Sequence, residues 1–183
     1  MAGMNGRPAT YSGSQKLLHW VIALMVLMMI PVGVYMVRRG LATNFDAVTN
    51  QLYTAHKTFG ALILLLMIAR IAVRFSHGTP APEPSLNRLQ VIAAESVHGL
   101  IYLALLVIPV LGWLGVSAYG ARGLLGGWEL PALLAQNEDL AKVILKYHGY
   151  AAFGLVLLLG AHIGAAFLHR FILKDGVVQR MLP

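Results

Sequence analysis

The chain has 183 residues, 58% hydrophobic and 11% charged, with a formal net charge of +7 and no cysteine. A soluble domain carries about 25% charged residues, so this composition excludes a disordered chain, a soluble two-domain enzyme and a nucleic-acid module. Without cysteine the chain makes no disulfide, iron–sulfur cluster, thiolate zinc site or covalent c-type haem attachment, and seven histidines remain as metal-ligand candidates.

A bilayer core about 30 Å thick takes roughly 20 apolar residues per helical crossing. Four stretches meet that length, and they predict an all-α integral membrane protein with a four-helix bundle. The first covers residues 17–37 and ends at Arg38-Arg39. Its apolar run is too long for the core of a cleavable signal peptide, so it is expected to remain as a span. A short outer loop, 38–52, leads to the second stretch, 53–75, with Arg70 and Arg74 near its end. The inner loop 76–90 holds Pro80, Pro82 and Pro84, which stiffen it toward an extended form. The third stretch is 93–118. The long loop 119–142 follows, with Trp128 and a Leu-rich run after Pro131 expected to lie on the membrane interface. The fourth stretch, 143–171, exceeds the length of a perpendicular crossing. The chain reads as one membrane domain over residues 1–183.

Four spans place both termini on one side. Arg7, Lys16, Arg70, Arg74, Arg88, Arg170, Lys174 and Arg180 share that side, against Arg38, Arg39, Lys57, Arg122, Lys142 and Lys146 on the other. Eight against six is a small positive-inside excess, and it predicts cytoplasmic termini.

Histidine inside a span is costly and marks function; near a span end it also serves as a plain interfacial polar group. His148 and His162 are 14 residues apart on the fourth stretch. At helical geometry they fall within about 40° of one face and about 21 Å apart along the axis. Ligands to a single zinc on one helix would sit three or four residues apart, so this spacing fits two centres stacked across the membrane. His56 matches His148 in depth. For His162 the partner is either His19 or His98, and depth leaves both open. Two histidines facing each other across a helical bundle suit a porphyrin with both axial positions filled. Small residues beside these histidines (Gly33, Gly60, Gly149, Ala152, Gly160, Gly164 and Ala165) fit that reading and also fit plain helix packing. Arg70 and Arg74 are candidates for haem propionates or, equally, snorkelling flanks. The spans carry almost no acids, which excludes di-metal carboxylate sites and carboxylate-driven proton pumping.

These residues together resemble the bacterial cytochrome b561 family over nearly the whole chain. The matching segments are Leu18-His19-Trp20, His56 with Gly60, His98 to Tyr102 followed by Ile108-Pro109 and Gly112, His148-Gly149, Gly160 with His162, and a tail of His169, Lys174-Asp175 and Arg180 to Pro183. The resemblance implies a stand-alone di-haem protein of the bacterial inner membrane holding two b haems. It implies that His19 and His162 ligate the inner haem and that His56 and His148 ligate the outer haem. His98 then stands near the inner haem, and His77 is a solvated loop residue. The resemblance further implies a superoxide oxidase-like activity, with superoxide oxidised at the outer face and ubiquinone reduced near the inner face. His169 is the quinone-site candidate, with Ser14 and Lys16 lining the same pocket. Outer cations (Lys57, Lys142, Lys146, Arg38, Arg39 and Arg122) are candidates for steering a small anion, diluted by Asp46, Glu129, Glu138 and Asp139. The expected partners are lipid, quinone and superoxide, with no nucleic acid and no obligate protein partner. The alternative is a haem-bearing anchor that relays electrons for a larger dehydrogenase or hydrogenase.

Overall fold

In a computed structural model that describes residues 8–182, the chain folds into four long helices and forms no strand among the described residues. They are α1 (Gly13–Thr43), α2 (Ala47–His77), α3 (Arg88–Tyr119) and α4 (Glu138–Phe167). Helix α4 continues as a π-wound segment, Leu168–Leu173. Each is long and apolar enough to cross a membrane. Arg7 lies outside the described residues.

The helices run past the apolar stretches because polar caps at their ends satisfy the first free backbone N–H groups. Ser12 and Gln15 form a capping box on α1, and Asn87 and Gln90 form one on α3. Asp46 caps α2 and Asn137 caps α4. The expected outer loop 38–52 is thereby reduced to a three-residue turn, with Asn44 and Phe45 both at positive φ.

That turn depends on a carboxylate. Asp46 accepts from the Thr49 N–H at 2.8 Å and pairs with Arg39 at 2.6 Å. Hydrogen bonds from Thr49, then the Arg39 bond and charge, hold its pKa below the ordinary 3.8, at about 2. A lowered carboxyl pKa adds stability that is complete above the unfolded value and disappears as pH falls through the folded one. Asp46→Ala is therefore expected to lower the thermal unfolding midpoint in detergent at pH 6, with the difference from the parent closing between pH 4 and 2.

Helix α1 packs along α2, α2 along α3, and α3 along α4. The pairs α1/α4 and α2/α4 do not pack backbone against backbone along their length. Ile22, Val26, Ile63, Met67, Leu105, Ile108 and Leu155 close the bundle at mid-height, drawing on all four helices. Pro31 and Pro109 lie inside α1 and α3 and each removes one helical hydrogen bond. A bundle interior tolerates this where neighbouring helices shield the backbone.

The long loop is coil apart from one short turn, Leu125–Gly127, and an isolated bridge between Gly123 and Glu129. The Leu-rich run after Pro131 forms no helix. Instead it is tied to the end of α3: the Ser117 hydroxyl accepts from the N–H groups of Leu133 and Leu134, and the Trp113 indole donates to the Pro131 carbonyl. Trp128 stays 75% exposed, consistent with an interfacial position.

Candidate functional site

The apolar layer separates two groups of histidines. At the end of the bundle carrying both termini, the His19 and His162 rings lie 6.3 Å apart, centre to centre, at 74°. At the opposite, loop end, His56 and His148 lie 6.2 Å apart at 76°. These contacts bridge α1 to α4 and α2 to α4, two pairs whose backbones stand apart. His98 reaches the same end as His19, with its ring 5.2 Å from that of His162. His77 is exposed and bonded to Ser76.

At the loop end both rings are seated on glycine. A Cβ on Gly112 would come within 3.2–3.3 Å of the His148 ring, and one on Gly33 within 3.3 Å of the His56 ring. Because Gly112 lets the ring approach the α3 backbone, His148 Nδ1 donates to the Ile108 carbonyl at 2.9 Å. That bond keeps the proton on Nδ1 and frees the Nε2 lone pair for a metal. His56 Nδ1, in contrast, is buried with no hydrogen-bond partner. Leaving a polar atom in that state costs about 1–3 kcal/mol, which singles His56 out as a residue placed for something other than packing.

At the terminal end Arg70 organises the site. Its guanidinium donates to the Tyr102 hydroxyl at 2.8 Å, contacts His19 Nδ1 at 3.2 Å, and reaches the Gln15 carbonyl at 3.4 Å. Arg70 and Arg74 both lie over the Tyr102 ring, at 5.5 and 5.7 Å. Among the described residues neither has a carboxylate at ion-pair distance, so two cations converge there without an anion.

The donor set fits haem. Two imidazoles bound on opposite faces of one iron, with metal–nitrogen bonds of about 2 Å and ring centres about 1 Å further out, stand about 6 Å apart. Both ring separations match that span. The His98 and His162 rings are closer, at 5.2 Å.

His169 bonds Asp175 through Nδ1 at 2.6 Å, with both side chains largely buried. Burial raises the Asp175 pKa, but the bonds from His169 and the Val177 N–H outweigh it and hold the carboxyl below its ordinary value. The π winding from Leu168 onward turns fewer degrees per residue than an α-helix, so the stretch around His169 departs from the ideal register with His162. Ser14 lies in the exposed capping turn of α1, bonded to Ser12, with Lys16 in the next turn. Both share the end of the bundle that holds His169.

At the loop end Arg39 pairs with Asp46, Arg122 with Glu129, and Lys142 with Glu138 and Asp139. Lys57 donates to the Ala121 carbonyl, and Lys146 lies over the Tyr150 ring. Among the described residues, Arg38, Lys57 and Lys146 are the loop-end cations without a carboxylate partner. Sequence reasoning missed the glycine seat under His148 and the Arg70–His19 contact. The motif Ile108-Pro109 with Gly112 was visible, but only packing shows what it contacts.

The family model described as prokaryotic cytochrome b561 matches residues 10–183. The chain is 30% identical over 176 residues to Escherichia coli K12 "Cytochrome b561 homolog 2", covering 96% of this chain and 92% of that protein. It is 30% identical over 173 residues to Yersinia pestis "Probable superoxide oxidase CybB", covering 94% and 96%. It is 30% identical over 181 residues to "Cytochrome b562" of Cereibacter sphaeroides strain ATCC 17023, covering 94% of each. With four membrane-length helices and this match, the chain belongs to the prokaryotic cytochrome b561 family, multi-pass bacterial membrane cytochromes of electron transfer that carry b-type haem.

Proposed function

We propose that this protein moves electrons across the bacterial inner membrane through two bis-histidine b haems, oxidising superoxide at the periplasmic side and reducing ubiquinone near the cytoplasmic side. The observation that carries this reading is the pair of neighbouring histidine rings at each end of the bundle, 6.3 and 6.2 Å apart, with an apolar layer between. When bound, haem supplies the one-electron chemistry, and the protein supplies ligation, spacing and field.

His56 and His148 would hold the outer haem, with His148 oriented by the Ile108 carbonyl. His19 and His162 would hold the inner one. With His19 held through Nε2, its Nδ1 would carry the ring proton, and Arg70, with Arg74, would be available to an anionic group such as a propionate. The apolar layer keeps water out of the path between the two sites.

The superoxide assignment draws on the Yersinia relative's name and on the loop-end charge. Arg38, Lys57 and Lys146 are the cations free to draw in a small anion. Neutralising Lys57 and Lys146 with glutamine is expected to slow haem reduction by superoxide about tenfold at low salt, with the difference shrinking as ionic strength rises. At the other end, His169 meets the quinone, with Ser14 and Lys16 beside it. Two superoxide anions give two electrons and leave as dioxygen; ubiquinone takes those electrons and two inner-side protons to become ubiquinol.

Stopped-flow spectroscopy of the purified, haem-loaded protein tests the whole reading. Pulsed superoxide is expected to reduce the b-type spectrum within the mixing experiment, and added ubiquinone-1 to reoxidise it. Haem that stays oxidised under superoxide yet is reduced by ubiquinol would reverse the direction proposed here.

A further inference from the structure

The end of α4 doubles back on itself. After the π-wound turn, Lys174 adopts a left-handed conformation (φ 52), and this reversal carries Asp175 back to His169. The Asp175 carboxylate is used on both oxygens: one takes His169 Nδ1–H at 2.6 Å, the other the Val177 N–H at 3.1 Å. The rest of the tail is fastened to two other elements. Arg180 pairs with Glu83 of the proline loop at 2.5 Å and donates to the Ala81 carbonyl. The Trp20 indole of α1 donates to the Met181 carbonyl at 3.0 Å. A short exposed tail would otherwise be among the least ordered parts of a chain; here α1, the 78–87 loop and α4 all hold it.

We propose that Asp175 is a positioning residue for quinone reduction. It fixes the His169 proton on Nδ1, aims Nε2 at the quinone, and is itself held in place by the tail's anchor at Arg180. This rests on the quinone role proposed for His169. A carboxylate on one ring nitrogen sets both the tautomer and the ring direction. The quinone carbonyl oxygen takes a proton from Nε2–H of the imidazolium: that N–H bond breaks, an O–H bond forms, and the ring stays neutral with Nδ1–H on Asp175. Inner-side water returns a proton to Nε2 and supplies the second proton of the quinol. The two electrons come from two superoxide anions.

The test is steady-state ubiquinone-1 reduction by superoxide in purified holoprotein, with haem content checked from the b-type spectrum. His169→Ala is expected to lower kcat about a hundredfold with both haems retained. Asp175→Asn is expected to lower kcat about tenfold with little change in KM, and Asp175→Glu to restore part of it. In the His169→Ala background, Asp175→Asn should cost nothing further. Arg180→Ala, which loosens the tail without touching His169, should give a smaller loss that also vanishes in that background. It keeps the test open if Asp175→Asn fails to assemble. Full activity in Asp175→Asn or Arg180→Ala beside a slow His169→Ala overturns the positioning role, as does a loss that persists without His169. Full activity in His169→Ala overturns the quinone reading itself.

Discussion

Replacing His148 or His56 with alanine should remove one haem and leave the other, so the b-type absorbance per protein falls by about half. His56 and His148 form a pair at the loop end, and the terminal-end pair lies across the apolar layer on separate residues. His19→Ala should likewise remove about half, from the other end. His98→Ala should keep both haems, because the proposed ligand pairs leave it out, although its ring stands 5.2 Å from His162. Pyridine haemochrome assay against protein concentration measures all four. Loss of a haem in His98→Ala with retention in His19→Ala would exchange their roles, and loss of both haems in every variant would deny separate sites.

Gly112→Val should cost the outer haem without any change to a ligand. The first added carbon would stand 3.2–3.3 Å from the His148 ring, and a branched side chain adds bulk where the ring lies against α3. The ring must move, and its 2.9 Å bond to the Ile108 carbonyl goes with it. Gly112→Ala asks for a shift of only a few tenths of an ångström, and it should broaden or shift the outer haem spectrum rather than abolish it. Gly154 on α4 provides the comparison, since a Cβ there meets nothing within 4 Å. Alanine there should leave the spectrum unchanged. A wild-type spectrum in Gly112→Val would show that the seat is not required.

Much of this protein is legible in one dimension because a membrane imposes simple rules. Apolar length sets the number of crossings, and the absence of cysteine confines metal ligation to other side chains. The 14-residue interval between His148 and His162 is a helical distance, so two levels can be read from it directly. Helix ends were less legible. Asp46 and Asn137 extend the helices beyond their apolar stretches, because caps are local polar geometry that hydropathy does not register. The loop after Pro131 was expected on the membrane interface; that Ser117 of the preceding helix binds its backbone could not be read from the sequence.

The amino-acid sequence alone determined the class of molecule: four apolar spans, histidines at two depths, and a family motif set covering nearly the whole chain. The first two depend on periodicity and spacing within single helices; the third is a resemblance. The tertiary structure alone decided which rings come close to one another, that Gly112 and Gly33 lie against two of them, and that Asp175 returns to His169. Each is a contact between elements, or across a chain reversal, where the approach of two backbones sets the distance. Spacing along one helix gives the depth of a side chain, and only the packing of its neighbours says what it meets there.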